Sequence, residues 1–260
     1  METVSHQGRE TAYEVSDRGG EGPTICFVHG SGGTREAWKS QHRLADQYPV
    51  VTLDLSGHGD SGDIDASAGY TTLSAYADDV IAVATETDAD VLVGNSLGGA
   101  VVMHILIERG DEYRPDAVVL TGTGARLGVL EDLRNWLADD FERAVEFLHG
   151  SDRLFHDAES ELATHSSDQM RACGQAVTQR DFETCHTFDV RDELGGIGVP
   201  TLVVYGEHDK LTPPRYHEFL VDEIDDAQSV ALEDAAHMVM LEQPAAFNEA
   251  VSEFVASTVE

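Results

Sequence analysis

Ser96 stands in Gly94-Asn95-Ser96-Leu97-Gly98-Gly99, directly after the apolar run Val91-Leu92-Val93 and directly before Ala100-Val101-Val102-Met103-His104-Ile105-Leu106. A serine with glycine two positions before and two after, set between a buried strand and a helix, has the form of a nucleophile at the apex of a sharp turn. The glycines answer a steric need. Backbone at such an apex is strained, and side chains at those flanking positions would collide across it. The turn lifts the hydroxyl clear of the sheet and aims the Leu97 N–H, at a helix start, at the same point. The bland alternative is a purely structural turn, which the strand before and the helix after disfavour.

A serine nucleophile needs a base, and the base needs an acid to orient it. Pro200-Thr201-Leu202-Val203-Val204-Tyr205-Gly206 reads as a buried strand, and Glu207-His208-Asp209 follows it. Asp209 therefore lies at the C-terminal end of a strand, where open α/β sheets gather their chemistry. Val230-Ala231-Leu232 reads as a further strand, with Glu233-Asp234-Ala235-Ala236-His237 as the loop after it. His237 is the candidate general base for Ser96, and Asp209 the candidate that fixes its tautomer and stabilises the imidazolium. Alone, His237 is one of 12 histidines and Asp209 a loop carboxylate among 49 acidic residues. Their positions, each ending its own strand, single them out.

The elements that must hold these residues alternate along the chain. Strands are expected at an early edge (11–15) and at 25–28, 50–55, 90–93, 117–121, 201–205 and 227–232; helices at 36–47, 72–86, 98–109, 214–223 and 244–257. Phe247, Val251, Phe254 and Val255 share one face of the last helix. Such alternation predicts an α/β fold with a mostly parallel, doubly wound sheet. It breaks between 126 and 195, where the chain reads as helical and strandless. Because that insertion follows the strand at 117–121, it lies beside the nucleophile turn at the sheet's C-terminal edge. Trp136, Phe141, Phe147, Met170 and Phe182 are its candidate pocket residues, against the plainer reading that each merely packs helices onto the core.

Composition fits one domain. The chain has 260 residues, and α/β folds of that size commonly form one unit. No window approaches the 18 or more consecutive apolar residues of a membrane span. The start, Met1-Glu2-Thr3-Val4-Ser5, lacks the basic and apolar regions of a signal peptide, which implies a cytoplasmic location. Cys26 falls in a buried strand, and Cys173 and Cys185 have no metal or C-x-x-C spacing, so neither metal nor redox cofactor is expected. The 49 acidic residues against 16 basic ones give a net charge of -33, and only Lys39 and Lys210 are lysines. Repulsion of that size opposes compaction in dilute buffer, and salt screens it. The composition resembles that of proteins from salt-accumulating cytoplasm. It argues against nucleic acid or an anionic membrane as partner.

Taken together, the chain resembles the α/β-hydrolases over nearly its whole length. His29-Gly30-Ser31-Gly32-Gly33 after Ile25-Cys26-Phe27-Val28 matches that family's oxyanion loop, and Gly57-His58-Gly59-Asp60-Ser61-Gly62 after the strand at 50–55 its Gly-rich turn. Ala236-His237-Met238-Val239-Met240-Leu241-Glu242-Gln243-Pro244 matches its histidine loop. The resemblance implies residues 1–125 and 196–260 as the hydrolase core and 126–195 as a helical cap inserted after the family's sixth strand. It gives Ser31 and Leu97 as donors of the two oxyanion N–H groups, and His29 a structural role. Ser96 in place of an elbow Asp disfavours haloalkane dehalogenase and epoxide hydrolase chemistry.

The leading expectation is a serine hydrolase acting on a small acyl substrate, a carboxylic ester, lactone or thioester, without cofactor. Asn95 beside Ser96 also resembles carbon–carbon hydrolases of ring-cleavage products, with perhydrolysis as a side activity of the triad. Those carbon–carbon hydrolases tend to carry Asn where Ser40 stands here, and they add a cap arginine. Arg180 is the candidate for it, against the plainer reading of a surface ion pair. A non-catalytic binding protein of the same fold is the alternative from another class. A dinucleotide-binding reading of Gly30-Ser31-Gly32 fails, since Arg35 occupies the third glycine's place.

Overall fold

The computed structural model describes residues 1–157 and 159–259. Its strands are β1 (Glu2–His6), β2 (Arg9–Ser16), β3 (Ile25–Val28), β4 (Val50–Leu53), β5 (Val91–Asn95), β6 (Ala117–Thr121), β7 (Thr201–Gly206) and β8 (Ala227–Leu232). They make one sheet in the order β1-β2-β4-β3-β5-β6-β7-β8. Pairing is antiparallel from β1 through β2 to β4 and parallel from there on. Every residue of β3, β4, β5 and β6 is buried. Layers cover both faces of these strands, which is why they read as unbroken apolar runs rather than alternating ones.

Two N-terminal elements differ from the sequence reading. The expected edge strand at 11–15 is β2, and it is not the edge. β1 pairs outside it through a two-residue turn at Gln7 and Gly8, whose φ values of 46° and 80° suit a tight hairpin. Largely exposed, β1 carries no apolar alternation to betray it. The helix expected over 36–47 is instead two 3-10 turns, Arg35–Trp38 and Gln41–Asp46. Trp38, Gln41 and Leu44 are all buried, a three-residue spacing that suits the tighter winding. The Gln41 amide also donates to Met240 O and Asn248 Oδ1, at 3.1 and 3.0 Å, fastening this segment to the C-terminal part of the chain.

Helices α1 (Tyr70–Glu86) and α2 (Leu97–Glu108) flank the sheet, and α2 is buried from Leu97 through Ile105. Between β6 and β7 lie α3 (Glu131–Asp139), α4 (Phe141–Leu148), α5 (Glu161–Cys173) and α6 (Gln175–Thr187). These four helices bury Leu133, Leu137, Val145, Leu148, Phe155 and Met170 together, and Met238 and Leu241 of the core pack against that cluster. The insertion thus sits on the C-terminal edge of the sheet. α7 (Pro214–Glu223) lies between β7 and β8, and α8 (Val239–Glu242) and α9 (Pro244–Thr258) follow β8. The apolar stripe expected in the last helix is the buried face of α9. Among the described residues no helix is long and apolar enough to cross a membrane.

Candidate active site

Ser96, between β5 and α2, has φ 54° and ψ −114°. A non-glycine residue in that region costs about 1–3 kcal/mol and persists only where its surroundings over-determine it. They do here. Ser96 N–H donates to Thr121 O at 2.9 Å, and the Thr123 hydroxyl donates to Ser96 O at 2.9 Å. A Cβ on Gly94 would come to 2.5 Å from Gly98 O, and one on Gly98 would strike Val28 O. The two motif glycines are therefore a packing necessity at this turn.

His237 and Asp209 are 4% and 2% exposed. His237 Nδ1 lies 2.9 Å from Asp209 Oδ2. The same oxygen receives the Thr212 hydroxyl at 2.6 Å, while Oδ1 receives the Leu211 and Thr212 N–H groups, each at 2.8 Å. Burial alone would push the Asp209 carboxyl up. The adjoining His237 ring and the Thr212 donors outweigh that, and the carboxyl lies below the usual carboxylate range. An ionised Asp209 only accepts, so the proton of a neutral His237 resides on Nδ1 and Nε2 is left as the acceptor. His237 and Ser96 both line one cavity of about 550 Å³ between the sheet edge and the insertion. Neither His208, beside Asp209 in sequence, nor Asp234, three residues before His237, lines it. His208 instead stacks on His156, with ring centroids 4.0 Å apart.

Leu97 opens α2, so its N–H has no intrahelical acceptor. Ser31 lines the cavity in the loop after β3. The next two N–H groups of that loop are taken: Gly32 donates to Asp181 Oδ2 at 2.9 Å and Gly33 to Gly30 O at 3.1 Å. Among the described residues no acceptor faces the Ser31 N–H. His29 bonds backbone at both nitrogens, Nδ1 to Gly30 O at 2.8 Å and Nε2 to Leu55 N–H at 3.1 Å. Burial and the neighbouring His58 push its pKa down to about 4, which keeps it neutral.

Sequence reasoning missed Asp181. This fully buried carboxylate on α6 meets His58 Nε2 at 2.9 Å and accepts the Tyr76 hydroxyl at 2.7 Å. Burial opposes both charges, but each partner stabilises the other, holding Asp181 below and His58 well above their usual ranges. The available signal was the helical spacing of Thr178, Asp181, Thr184 and Cys185, which form one buried face of α6.

Phe147, Met170 and Phe182 line the cavity; Trp136, Phe141 and Arg180 do not. Trp136 packs on Phe147 with centroids 5.2 Å apart and carries the Arg143 guanidinium over its ring. Arg180 pairs with Asp63 at 2.7 Å and donates to the carbonyls of Ser56 and Ile64. Two residues turn a helix by about 200°, so Arg180 and Phe182 face opposite ways on α6. Asp152, His156 and His208 offer possible ligand atoms within 4.8 Å of one another, but Asp152 is already bonded to both Lys210 and His156.

Residues 27–250 match the model of the alpha/beta hydrolase family. A pimeloyl-[acyl-carrier protein] methyl ester esterase of Neisseria meningitidis serogroup C is 31% identical over 252 residues, covering 89% of this chain and 93% of that protein. A 2-hydroxy-6-oxo-6-(2'-aminophenyl)hexa-2,4-dienoic acid hydrolase of Metapseudomonas resinovorans is 28% identical over 264 residues, 97% of this chain and 89% of that one. Among solved structures, a thermophilic esterase superposes with a TM-score of 0.86 at 30% identity, over 99% of this chain and 97% of its own. Strand order, elbow and sequence agree, and the chain belongs to the alpha/beta hydrolase family and is a hydrolase.

Proposed function

We propose that this hydrolase cleaves a carboxylic ester, lactone or thioester by nucleophilic catalysis, with Ser96 as nucleophile, His237 as base and Asp209 as the orienting acid. One observation carries the reading. A histidine clamped by a buried carboxylate at 2.9 Å opens on the same cavity as a serine held in strained backbone. His237 Nε2 takes the Ser96 hydroxyl proton as Oγ attacks the carbonyl carbon. The oxyanion forms against the N–H groups of Ser31 and Leu97, each such donor being worth about 3 kcal/mol of barrier. His237 then protonates the departing alkoxide, and water repeats the sequence to free the acid and restore Ser96. The substrate is a small acyl compound, and the setting in this reading is the cytoplasm.

The esterase names of the relatives support this class. Carbon–carbon hydrolysis, suggested by the Metapseudomonas relative and by Asn95, stands second because Arg180 is committed to Asp63 outside the cavity. A binding role without chemistry leaves the Asp209–His237 pair without a purpose. The test is a serine-directed fluorophosphonate together with turnover of p-nitrophenyl butyrate. Label at Ser96 alone, and a loss of roughly 10⁶ in kcat for Ser96→Ala, are expected. Turnover by Ser96→Ala near that of the unaltered enzyme ends the reading.

A further inference from the structure

The charge of the cavity wall contrasts with that of the molecule. Asp and Glu make up 49 of the 260 residues, yet none lines the cavity among the described residues. Three of the chain's 16 cations do: Arg153, Lys210 and Arg215. Lys210 is answered by Asp152 at 2.6 Å. Arg153 and Arg215 are not. Among the described residues neither has a carboxylate within ion-pair distance, in a chain where carboxylates outnumber cations about three to one.

Arg153 is half-buried and held in place, while Arg215 is exposed at the cavity's edge. Arg153 sits over the Phe147 ring, its Cζ 3.9 Å from the centroid, and its Nη1 donates to Phe147 O at 2.9 Å. Its carbonyl accepts the His237 N–H at 3.2 Å, which ties this residue to the histidine loop. Arg215 sits in the first turn of α7 with its guanidinium 5.1 Å from the Tyr216 ring centroid. The same wall carries the apolar side chains of Leu154, Met170, Phe182 and Leu241. A guanidinium presents paired donors matched to a carboxylate.

We infer that the substrate is anionic: an ester whose acyl chain runs along the apolar wall and ends in a carboxylate held by Arg153 and Arg215. This rests on the ester-hydrolase reading and narrows it. An uncharged ester fills the apolar wall but leaves both cations unanswered. The surrounding field of a chain at -33 repels anions, so the local cations must supply the preference.

The experiment compares p-nitrophenyl hemisuberate with its uncharged ω-methyl ester, both read by p-nitrophenol release. A charge-assisted contact in a partly desolvated site predicts a kcat/KM at least about tenfold higher for the hemisuberate. Arg153→Gln and Arg215→Gln should each lower that ratio, and the double variant should bring it to about one. A p-nitrophenyl ester bearing its carboxylate on the ring, in the leaving group, should gain nothing from the two arginines. Inhibition of p-nitrophenyl butyrate turnover by suberate but not by its diamide checks the idea without any variant. A ratio at or below one in the unaltered enzyme, a ratio unmoved in the double variant, or equal inhibition by acid and diamide overturns it. Failure of the underlying reading looks different: p-nitrophenyl butyrate itself is then not hydrolysed, or is hydrolysed equally by Ser96→Ala.

Discussion

Asp181, midway along α6, accepts the N–H of Gly32 at 2.9 Å, one residue beyond Ser31 in the loop after β3. A single carboxylate in the insertion thereby holds the loop that carries a proposed oxyanion donor, and the same oxygen meets His58 Nε2 at 2.9 Å. Insertion, Gly-rich turn and oxyanion loop are fastened at one buried point. Asp181→Asn should therefore lower kcat by about tenfold or more with a smaller effect on KM, assayed well below its melting temperature. Breaking a buried ion pair by removing one charge costs about 3–5 kcal/mol, so melting should fall on the order of 10 °C. A variant that melts early yet keeps full kcat in the cold would make Asp181 a stability residue alone.

The same pair sets a pH dependence with a definite sign. His58 is raised in the folded protein, so its contribution is complete below the ordinary histidine pKa of about 6.5 and is lost as pH climbs through the raised value. Asp181 is depressed, so its contribution holds above the ordinary carboxylate range and is lost as pH falls through the lowered value. Melting temperature should pass through a plateau bounded on both sides. His58→Gln should flatten the alkaline decline, measured as Tm against pH. A decline identical to that of the unaltered protein would mean that another group sets that limb.

Strain at the elbow predicts a trade between stability and activity. Ser96, the proposed nucleophile, carries φ 54°, and glycine adopts that region without the Cβ cost. Ser96→Gly and Ser96→Ala should both be inactive. Ser96→Gly should melt higher than Ser96→Ala, by an amount equivalent to about 1 kcal/mol. Equal melting temperatures would show that the Thr121 and Thr123 bonds, not local relief, decide the balance.

The lining of the cavity separates residues that sequence could only group. Phe182→Ala, in the wall, should change the ratio of kcat/KM between short and long acyl p-nitrophenyl esters. Trp136→Ala, outside the wall and packed on Phe147, should lower melting temperature and leave that ratio nearly fixed. A uniform loss for both variants that tracks melting would reduce Phe182 to packing.

Residues whose role is fixed by local geometry were legible in the sequence. Gly94, Ser96 and Gly98 declare a turn that few other residues tolerate, and the buried strands ending at Asn95 and Gly206 declare themselves by composition. Long-range partners were not. Asp181 and Gly32 are 149 positions apart, and nothing in either neighbourhood announces the other. Arg180 drew attention in its place, because residue type carries chemistry but not the helical face on which it falls. β1 escaped for the opposite reason: an exposed edge strand held by backbone pairing leaves no apolar period.

Charge yields the last expectation. The chain commits two of its few cations to buried carboxylates, Arg9 on Asp79 and Arg35 on Asp54, and the shielded Arg180 to the exposed Asp63. Those pairs tie β2 to α1, the turn at Arg35 to the end of β4, and α6 to the loop at Asp63, but they leave still fewer cations for a surface already at -33 overall. At 0.1 M salt exposed carboxylates feel one another across a Debye length of about 10 Å, which favours the expanded chain. By 1 M the length is about 3 Å and most of that repulsion is gone, while the buried pairs are screened much less. Melting temperature and ester turnover should both rise from dilute buffer to 1 M KCl. A rise continuing beyond 1 M would signal ion binding or altered hydration rather than screening. The measurement is Tm and kcat across a KCl series, and a curve flat between 0.1 and 2 M sinks the salt-adapted reading while leaving the catalytic one standing.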